Sequence, residues 1–313
     1  MTVASSSGRR SDTLVMDASG AGGSGRPAAP KKMRPPTLPA GEYKPKQSLG
    51  QNFLSDQNYV MKICSSFRDS SVGGRSVVEL GPGAGALTQV LHAQYPDMMA
   101  VDIDERSVQF LAETLPGLTV LQSDVLQIDY TQLAEARGGQ LSIIGNLPYH
   151  ITSQILFMLC DHYRSIARAV VLLQLEVAQR IVAPPNCKEY GILSVVFQLY
   201  TRPRILFKIP ATVFYPQPKV TSALLSLDFT GRGPDVDRGD LKKVLSTAFQ
   251  QRRKMLRQSL RPLLTEGVTL PEKFSALRPE QLTPQQFVEL TKAIFGDTDP
   301  SQRADSGPVW RSI

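Results

Sequence analysis

From residue 56 onward the chain alternates between short apolar runs and amphipathic stretches of helical period. Val77–Leu80, Met99–Asp102, Leu118–Val125, Ile143–Ile144 and Ala169–Gln174 are rich in β-branched and aliphatic residues. Runs of that kind predict strands, and those at Ile143–Ile144 and Ala169–Gln174 read as buried. Between them lie helical periods. Asp56 is a plausible N-cap for a helix with Tyr59, Val60, Ile63 and Phe67 on one face, and Leu87, Val90 and Leu91 mark the apolar side of the next. The alternation predicts an α/β fold on an open, doubly wound sheet. A helix around Ser194–Phe197, a strand around Arg204–Phe207 and a strand Ser222–Phe229 follow. Prolines 210, 216 and 218 argue against regular structure in the stretch before that last strand, which puts Phe214 on a stiff loop.

Beyond Gly231-Arg232-Gly233-Pro234, which reads as a linker, the pattern turns wholly helical. One helix is predicted with Leu241, Val244, Leu245, Ala248, Phe249, Leu256 and Leu260 on a single face, and another from Gln285 to Phe295. The expected organisation is a leader 1–45, an α/β domain 46–229, a helical domain 235–296 and a tail 297–313. Leader and tail lack hydrophobic periodicity and are expected to be disordered.

Composition narrows the picture. The 313 residues are 42% hydrophobic and 20% charged, a globular composition long enough for two domains. No apolar run approaches the ~18 residues of a membrane span. Cys64, Cys160 and Cys187 are scattered and odd in number, which fits a reducing compartment with neither a disulfide framework nor zinc spacing. His92, His150 and His162 form no metal or triad pattern.

Charge is placed unevenly. Of the net +7, residues 1–46 hold +5, from eight basic groups against Asp12, Asp17 and Glu42. A Ser- and Arg-rich, acid-poor leader of this kind reads as an organelle transit peptide, the alternative being a basic tail that touches RNA. The predicted helix from Leu241 carries Lys242, Lys243, Arg252, Arg253, Lys254, Arg257 and Arg261, with no acid before Thr265. A charge run is usually a solvated face, but one so uniform in sign suits contact with phosphates.

The candidate chemistry lies at strand ends. Ile143-Ile144-Gly145-Asn146-Leu147-Pro148-Tyr149 ends a buried strand in a tight turn that offers an amide, a rigid proline and an aromatic ring. The Asn146 side-chain carbonyl and a main-chain carbonyl beside Pro148 can accept from the exocyclic amine of a flat base, on which Tyr149 can stack. Upstream, Glu79-Leu80-Gly81-Pro82-Gly83-Ala84-Gly85 fits two templates. Gly81, Gly83 and Ala86 match the dinucleotide fingerprint G-x-G-x-x-G/A, whereas Glu79 with Gly81, Gly83 and Gly85 matches the E/D-x-G-x-G-x-G loop of S-adenosylmethionine-dependent methyltransferases. Both expect an acid about 20 residues later for ribose hydroxyls, and Asp102 supplies it. Asp124, at the end of the third strand, can accept from an adenine amine and tips the balance toward a methyltransferase. Phe214 is open between a second ring over the target base and a hydrophobic plug.

With these motifs in view, the sequence resembles the ribosomal RNA adenine dimethyltransferase family from Gln47 to about Phe295. The resemblance rests on Q-N-F-L at Gln51–Leu54, E-L-G-P-G at Glu79–Gly83 and N-L-P-Y at Asn146–Tyr149. It rests equally on F-Y-P-Q-P-K-V at Phe214–Val220 and A-F-Q-Q-R-R-K at Ala248–Lys254. The Q-R-R-K form is similar to the bacterial branch. Asp102 departs from it, since Glu is common there, but the shorter acid can still accept from ribose.

The resemblance implies a Rossmann-like class I methyltransferase fold with a small C-terminal helical domain. Asn52, Leu54, Glu79, Gly81, Gly83, Gly85, Asp102, Asp124 and Asn146 would contact S-adenosylmethionine. Asn146, Leu147, Pro148, Tyr149 and Phe214 would act on the base, and Lys219, Arg252, Arg253, Lys254 and Arg257 would hold RNA. The implied reaction is dimethylation of N6 on two adjacent adenosines in a hairpin near the 3′ end of small-subunit rRNA. The partner would be that rRNA or an immature small subunit, with no membrane and no metal, and the protein a monomer. With the leader, the resemblance points to a plastid or mitochondrion, the alternative being the cytoplasm. Two rivals stand beside it, a DNA N6-adenine methyltransferase and a non-catalytic RNA-binding assembly or transcription factor on the same fold.

Overall fold

Val77–Leu80 pairs in parallel with two other short strands, and the rest of the fold is laid on the sheet they begin. The computed structural model describes residues 37–38, 41–42, 44–265, 268–296 and 309–310. The chain divides into Met1–Lys32, which lies outside the described residues, and a compact unit Met33–Ile313 that holds every element below.

The unit begins with a two-residue antiparallel pair, β1 (Thr37–Leu38) with β2 (Gly41–Glu42). Next come β3 (Phe53–Leu54) and α1 (Gln57–Ser66). The Asp56 carboxylate caps α1 as expected, accepting from the N–H groups of Asn58 (2.9 Å) and Tyr59 (3.3 Å). The doubly wound part runs β4 (Val77–Leu80), α2 (Thr88–Gln94), β5 (Met99–Asp102), α3 (Glu105–Thr114), β6 (Thr119–Gln122), α4 (Tyr130–Ala136), β7 (Leu141–Asn146), α5 (Thr152–Asp161) and β8 (Ile166–Gln174). Then follow α6 (Leu175–Val182), α7 (Ile192–Tyr200), β9 (Thr201–Ile209), β10 (Phe214–Tyr215) and β11 (Ser222–Phe229).

The seven-stranded sheet has the order β6-β5-β4-β7-β8-β11-β9. Its first five strands are parallel, and β11 runs antiparallel to both neighbours. Central strands β4 and β7 are buried almost throughout, which is why their sequences show no polar alternation. The edge strand β9 instead exposes Arg202, Arg204 and Lys208, charges that discourage pairing with another edge. One face of the sheet packs Val77, Ala100 and Ile144 against Ile63, Leu91 and Leu111 of α1, α2 and α3. The other face packs against α4, α5, α6 and α7.

The C-terminal segment holds α8 (Arg238–Gln250), α9 (Leu256–Ser259), α10 (Glu272–Ser275) and α11 (Pro284–Phe295). Leu241, Leu245, Phe287 and Leu290 belong to the same continuous core as Ile143, Leu156 and Phe197. The segments 46–229 and 235–296 are thus joined by a common apolar interior.

The structure departs from expectation at β6, which is only Thr119–Gln122, at Phe214, which lies in a strand rather than a loop, and twice in the C-terminal part. The helix predicted through Leu260 stops at Gln250. The Leu256 N–H turns to the Leu277 carbonyl (2.7 Å), and the Arg252 guanidinium reaches the carbonyls of Lys188 (2.6 Å) and Cys187 (2.8 Å), so the chain leaves the helix axis. The tail mostly lies outside the described residues, but Trp310 is fully buried against Phe157 and Tyr200. Its indole N–H donates to the Tyr200 hydroxyl (3.2 Å), and the Asp161 carboxylate accepts from the N–H groups of Val309 and Trp310. An isolated aromatic in a polar tail carries no periodicity, so the sequence pattern could not show it.

Candidate active site

The turn after β4 is possible only with glycine. Gly81, Gly83 and Gly85 have φ of 66°, 54° and 78°, the left-handed region that side chains with a Cβ rarely enter. A Cβ on Gly83 would also lie 2.6 Å from the Phe53 ring. The turn opens onto a cavity of about 280 Å³, walled by Leu49–Leu54, by the glycine turn, and by the ends of β5, β6 and β7. Asn52, Leu54, Glu79, Gly81, Gly83, Asp102, Asp124 and Asn146 all line it, so the acids from separate strands do converge. Gly85 is not part of that lining. It faces the Leu111 side chain, and its role is to let α2 start close to α3.

Two of the three acids, Asp102 and Asp124, are held by main-chain donors. Asp102 accepts from the Gly83 N–H (3.0 Å) and the Asp104 N–H (2.9 Å). Burial nevertheless pushes its pKa upward, the N–H groups working in the opposite direction. Asp124 accepts from the Leu126 N–H (2.9 Å). Glu79 is fully buried in β4, and its Oε2 has no hydrogen-bond partner. Burial, reinforced by the charge of Asp102, raises its pKa to about 8.

The turn after β7 fixes its groups in the same way. The Asn146 side-chain amide nitrogen donates to the Asn52 carbonyl (2.7 Å), which turns the side-chain oxygen the other way as an acceptor. The Leu147 N–H donates to the Leu172 carbonyl (3.0 Å). The Pro148 carbonyl is taken up in starting α5, accepting from the Thr152 hydroxyl (2.9 Å) and the Ile151 N–H (3.3 Å). The main-chain acceptor beside Pro148 that suits a ligand is therefore the Leu147 carbonyl. Tyr149 shares a 2.6 Å hydrogen bond with the Ser222 hydroxyl of β11, and burial raises its phenol pKa, so it stays neutral.

Not every expected residue is brought here. Phe214 is 1% exposed, packed in the core below the sheet, and its strand β10 pairs with β3 through Leu54. It does not line the cavity, and the plug describes it better than a second ring over a base. Arg252 is also corrected. Its guanidinium bonds Glu280 (3.0 Å) besides the two carbonyls that bend the chain, so its donors hold the fold together. Lys219, Arg253, Lys254 and Arg257 are exposed. Among the described residues no His, Cys, Asp and Glu cluster could hold a metal ion, and no helix is long and apolar enough to cross a membrane.

Sequence reasoning missed Ile103, Leu126, Ser222 and the wall made by Leu49–Gln51. Ile103 is 52% exposed at the cavity rim, and its place directly after Asp102, the second motif acid, was the available signal. Ser222 carried no signal, because β11 brings it to Tyr149 from 73 residues away.

The state of Glu79 gives a pH signature. In the unfolded chain it ionises in the ordinary carboxylate range, whereas in the fold it keeps its proton to about pH 8. Between those limits the folded chain binds the extra proton, so its stability falls as pH rises. Glu79→Gln has no proton to lose. Urea unfolding without cofactor should find the variant and parent closest at pH 5 and the variant increasingly more stable toward pH 8. A difference independent of pH would contradict the protonated state.

The comparisons with known proteins agree with this geometry. The family model described as ribosomal RNA adenine dimethylase matches residues 42–294. The ribosomal RNA small subunit methyltransferase A of Salinibacter ruber is 42% identical over 264 residues, covering 82% of this chain and 88% of its own length. That of Porphyromonas gingivalis is 41% identical over 253 residues, covering 79% and 96%. Among solved structures, a dimethyladenosine transferase from Plasmodium falciparum has a TM-score of 0.62 at 21% identity, covering 76% of this chain and 95% of its own. The 23S rRNA methyltransferase ErmE has a TM-score of 0.59 at 21% identity, covering 77% and 99%. A class I methyltransferase sheet, a glycine turn facing an N-L-P-Y turn and these matches lead to one conclusion: the chain belongs to the ribosomal RNA adenine dimethylase family and is an rRNA adenine dimethyltransferase that uses a methyl donor of the S-adenosylmethionine type.

Proposed function

We propose that the cavity binds S-adenosylmethionine itself, and that the chain places two methyl groups on N6 of each of two adjacent adenosines in the hairpin loop near the 3′ end of small-subunit rRNA. The observation that carries this reading is the orientation of Asn146, whose nitrogen is spent on Asn52 so that its oxygen is presented as an acceptor. The residues present fit the donor molecule. The glycine turn leaves room for backbone approach at Gly81, where a Cβ would meet only the Asn146 carbonyl at 3.9 Å. Asp102 suits ribose hydroxyls and Asp124 an adenine amine, and the buried Glu79 has an unpartnered Oε2 whose carboxyl a cationic group would draw toward the ionised form. When bound, S-adenosylmethionine supplies an electrophilic methyl group on a sulfonium.

The chain's own part is positioning and electrostatics. Adenine N6 is a poor nucleophile because its lone pair is delocalised into the ring. Acceptance of its two N–H hydrogens by the Asn146 oxygen and the Leu147 carbonyl favours a pyramidal nitrogen with its lone pair exposed. Tyr149, steadied by Ser222, offers its ring to the base. A loop adenosine is the least costly to unstack into such a pocket. Exposed Lys219, Arg253, Lys254 and Arg257 suit the flanking phosphates, and the substrate is rRNA either free or in an immature small subunit, met by the protein as a monomer.

Three measurements test these points. Nucleosides from small-subunit rRNA incubated with the protein and S-adenosylmethionine should contain N6,N6-dimethyladenosine by mass spectrometry. Asn146→Ala should lower its formation by about 10²–10³, the cost of removing a preorganised donor or acceptor. Methylation undiminished in the variant would remove Asn146 from its role, and none with the parent on free or subunit rRNA would favour an RNA-binding assembly factor. For RNA binding, Lys254→Ala should reduce the slope of log affinity against log salt by about 1; an unchanged slope would take Lys254 off the phosphate surface.

We also propose that residues 1–45 direct the protein to a plastid or mitochondrion, supported by their Ser- and Arg-rich, acid-poor composition. A fluorescent protein carrying those residues should enter an organelle in eukaryotic cells, and a purely cytoplasmic signal would overturn the assignment.

A further inference from the structure

The wall formed by Leu49–Leu54 is not part of the sheet. It belongs to a strap that walls the cavity and is fastened at both ends and, between them, by the Asn146 side-chain amide on the Asn52 carbonyl. At the far end, Phe53–Leu54 pairs with Phe214–Tyr215, and the Ser55 N–H and hydroxyl both donate to the Val213 carbonyl (2.9 and 3.0 Å). At the near end the fastening is one carboxylate, Asp104, which follows β5 and precedes α3.

Asp104 does far more than cap a helix. Its side chain is fully buried, and donors from the strap and from α3 converge on it. Oδ1 accepts from the Lys46 ammonium (3.1 Å) and the Arg106 Nε (3.0 Å), while Oδ2 accepts from the Gln51 side-chain amide (3.0 Å) and Arg106 Nη2 (2.6 Å). The capping bond to the Arg106 N–H is the longest, at 3.4 Å. The strap closes on itself around this point, the Lys46 N–H donating to the Gln51 side-chain oxygen (2.8 Å). Arg106 Nη1 also holds the Lys44 carbonyl (3.2 Å).

The same residue touches the cofactor site from behind. The Asp104 N–H donates to Asp102 Oδ1, and Asp102 Oδ2 holds the Gly83 N–H. Strap, ribose-binding acid and glycine turn are thus joined through one short chain of hydrogen bonds. The charge balance lets that chain open on the strap side. Lys46 is 47% exposed, and if it and Gln51 let go, Arg106 still neutralises Asp104, so no buried charge is left alone.

We propose that Asp104 is a positioning residue that latches the Lys46–Leu54 strap along the cofactor cavity, and that release of Lys46 and Gln51 from it governs how fast the cofactor enters and leaves. The inference rests on reading the cavity as the S-adenosylmethionine site. It assigns Lys46 and Gln51 a role in cofactor residence without contact to the reacting atoms.

The test is the dissociation rate of S-adenosylmethionine from the full chain, measured by stopped-flow displacement at rising salt. The parent, Lys46→Met, Asp104→Asn and the double variant would be compared, with melting temperatures alongside. Asn caps a helix about as well as Asp, so a cap-only role predicts no kinetic effect of Asp104→Asn. The latch predicts dissociation faster by up to about fivefold in Lys46→Met, the size of a half-exposed ion pair. It predicts a larger increase in Asp104→Asn and a double variant no faster than Asp104→Asn. Salt should accelerate release from the parent and have little effect on Lys46→Met. Release from Lys46→Met matching the parent at every salt concentration would overturn the latch, as would a lowered melting temperature in Asp104→Asn with release unchanged. Failure of the parent to bind S-adenosylmethionine in equilibrium dialysis would instead overturn the cofactor reading, and the latch with it.

Discussion

Gly145 sits so close to the neighbouring strand that a Cβ there would lie 2.4 Å from the Leu80 carbonyl oxygen, a main-chain atom that cannot step aside. That contact sets how β4 and β7 lie side by side, with Gly145 in register with Leu80. Both strands end at the same level, so the glycine turn that follows one and the N-L-P-Y turn that follows the other form a single wall. A bulkier residue at 145 would push the strands apart at the point where a methyl donor and its acceptor have to meet. The site is therefore a property of two adjacent parallel strands, before any functional side chain is considered.

On that wall most polar groups are oriented by the main chain or by a single neighbour. Asn52 turns the Asn146 amide, two N–H groups hold Asp102, and Ser222 steadies Tyr149. Groups fixed in this way need no reorganisation when the reaction begins, which is where preorganised sites derive their effect. Glu79 is the exception, a buried carboxyl with an unpartnered oxygen. Such a group is a cost to the empty fold and an asset only when a donor or cation arrives, so its presence is better explained by a ligand than by stability.

The fold was largely legible because the buried strands keep a period that burial dictates. Helix α1 and its Asp56 cap, strand β11 and the helix α11 lie where the pattern puts them. The cavity was legible to the extent that its residues end strands, as Asp102 and Asn146 do; Asp124 lies two residues beyond β6, which stops at Gln122 rather than running to Val125. What failed depends on contacts between distant segments. Phe214 reads the same whether its ring faces a base or the core, and only its pairing with Leu54 decides. Arg252 reads as one more cation in a basic run, yet Glu280 and two loop carbonyls claim it. Trp310, Asp104 and Ser222 were silent for the same reason, since each acquires its meaning from partners dozens of residues away.

The two acceptors also bear on a reaction that must run twice on one nitrogen. On the proposed reading, an unmodified adenine amine offers two N–H groups, one for the Asn146 oxygen and one for the Leu147 carbonyl. After one methyl transfer a single N–H remains, and one acceptor loses its partner, at a cost of about 1–3 kcal/mol where that acceptor is buried. The second transfer therefore leans more on contacts that do not change, above all the ring of Tyr149 and its bond to Ser222. Stacking contributes on the order of 1–3 kcal/mol per base, enough to offset that loss. A site built on a fixed ring and a fixed turn can hold the same base through both rounds.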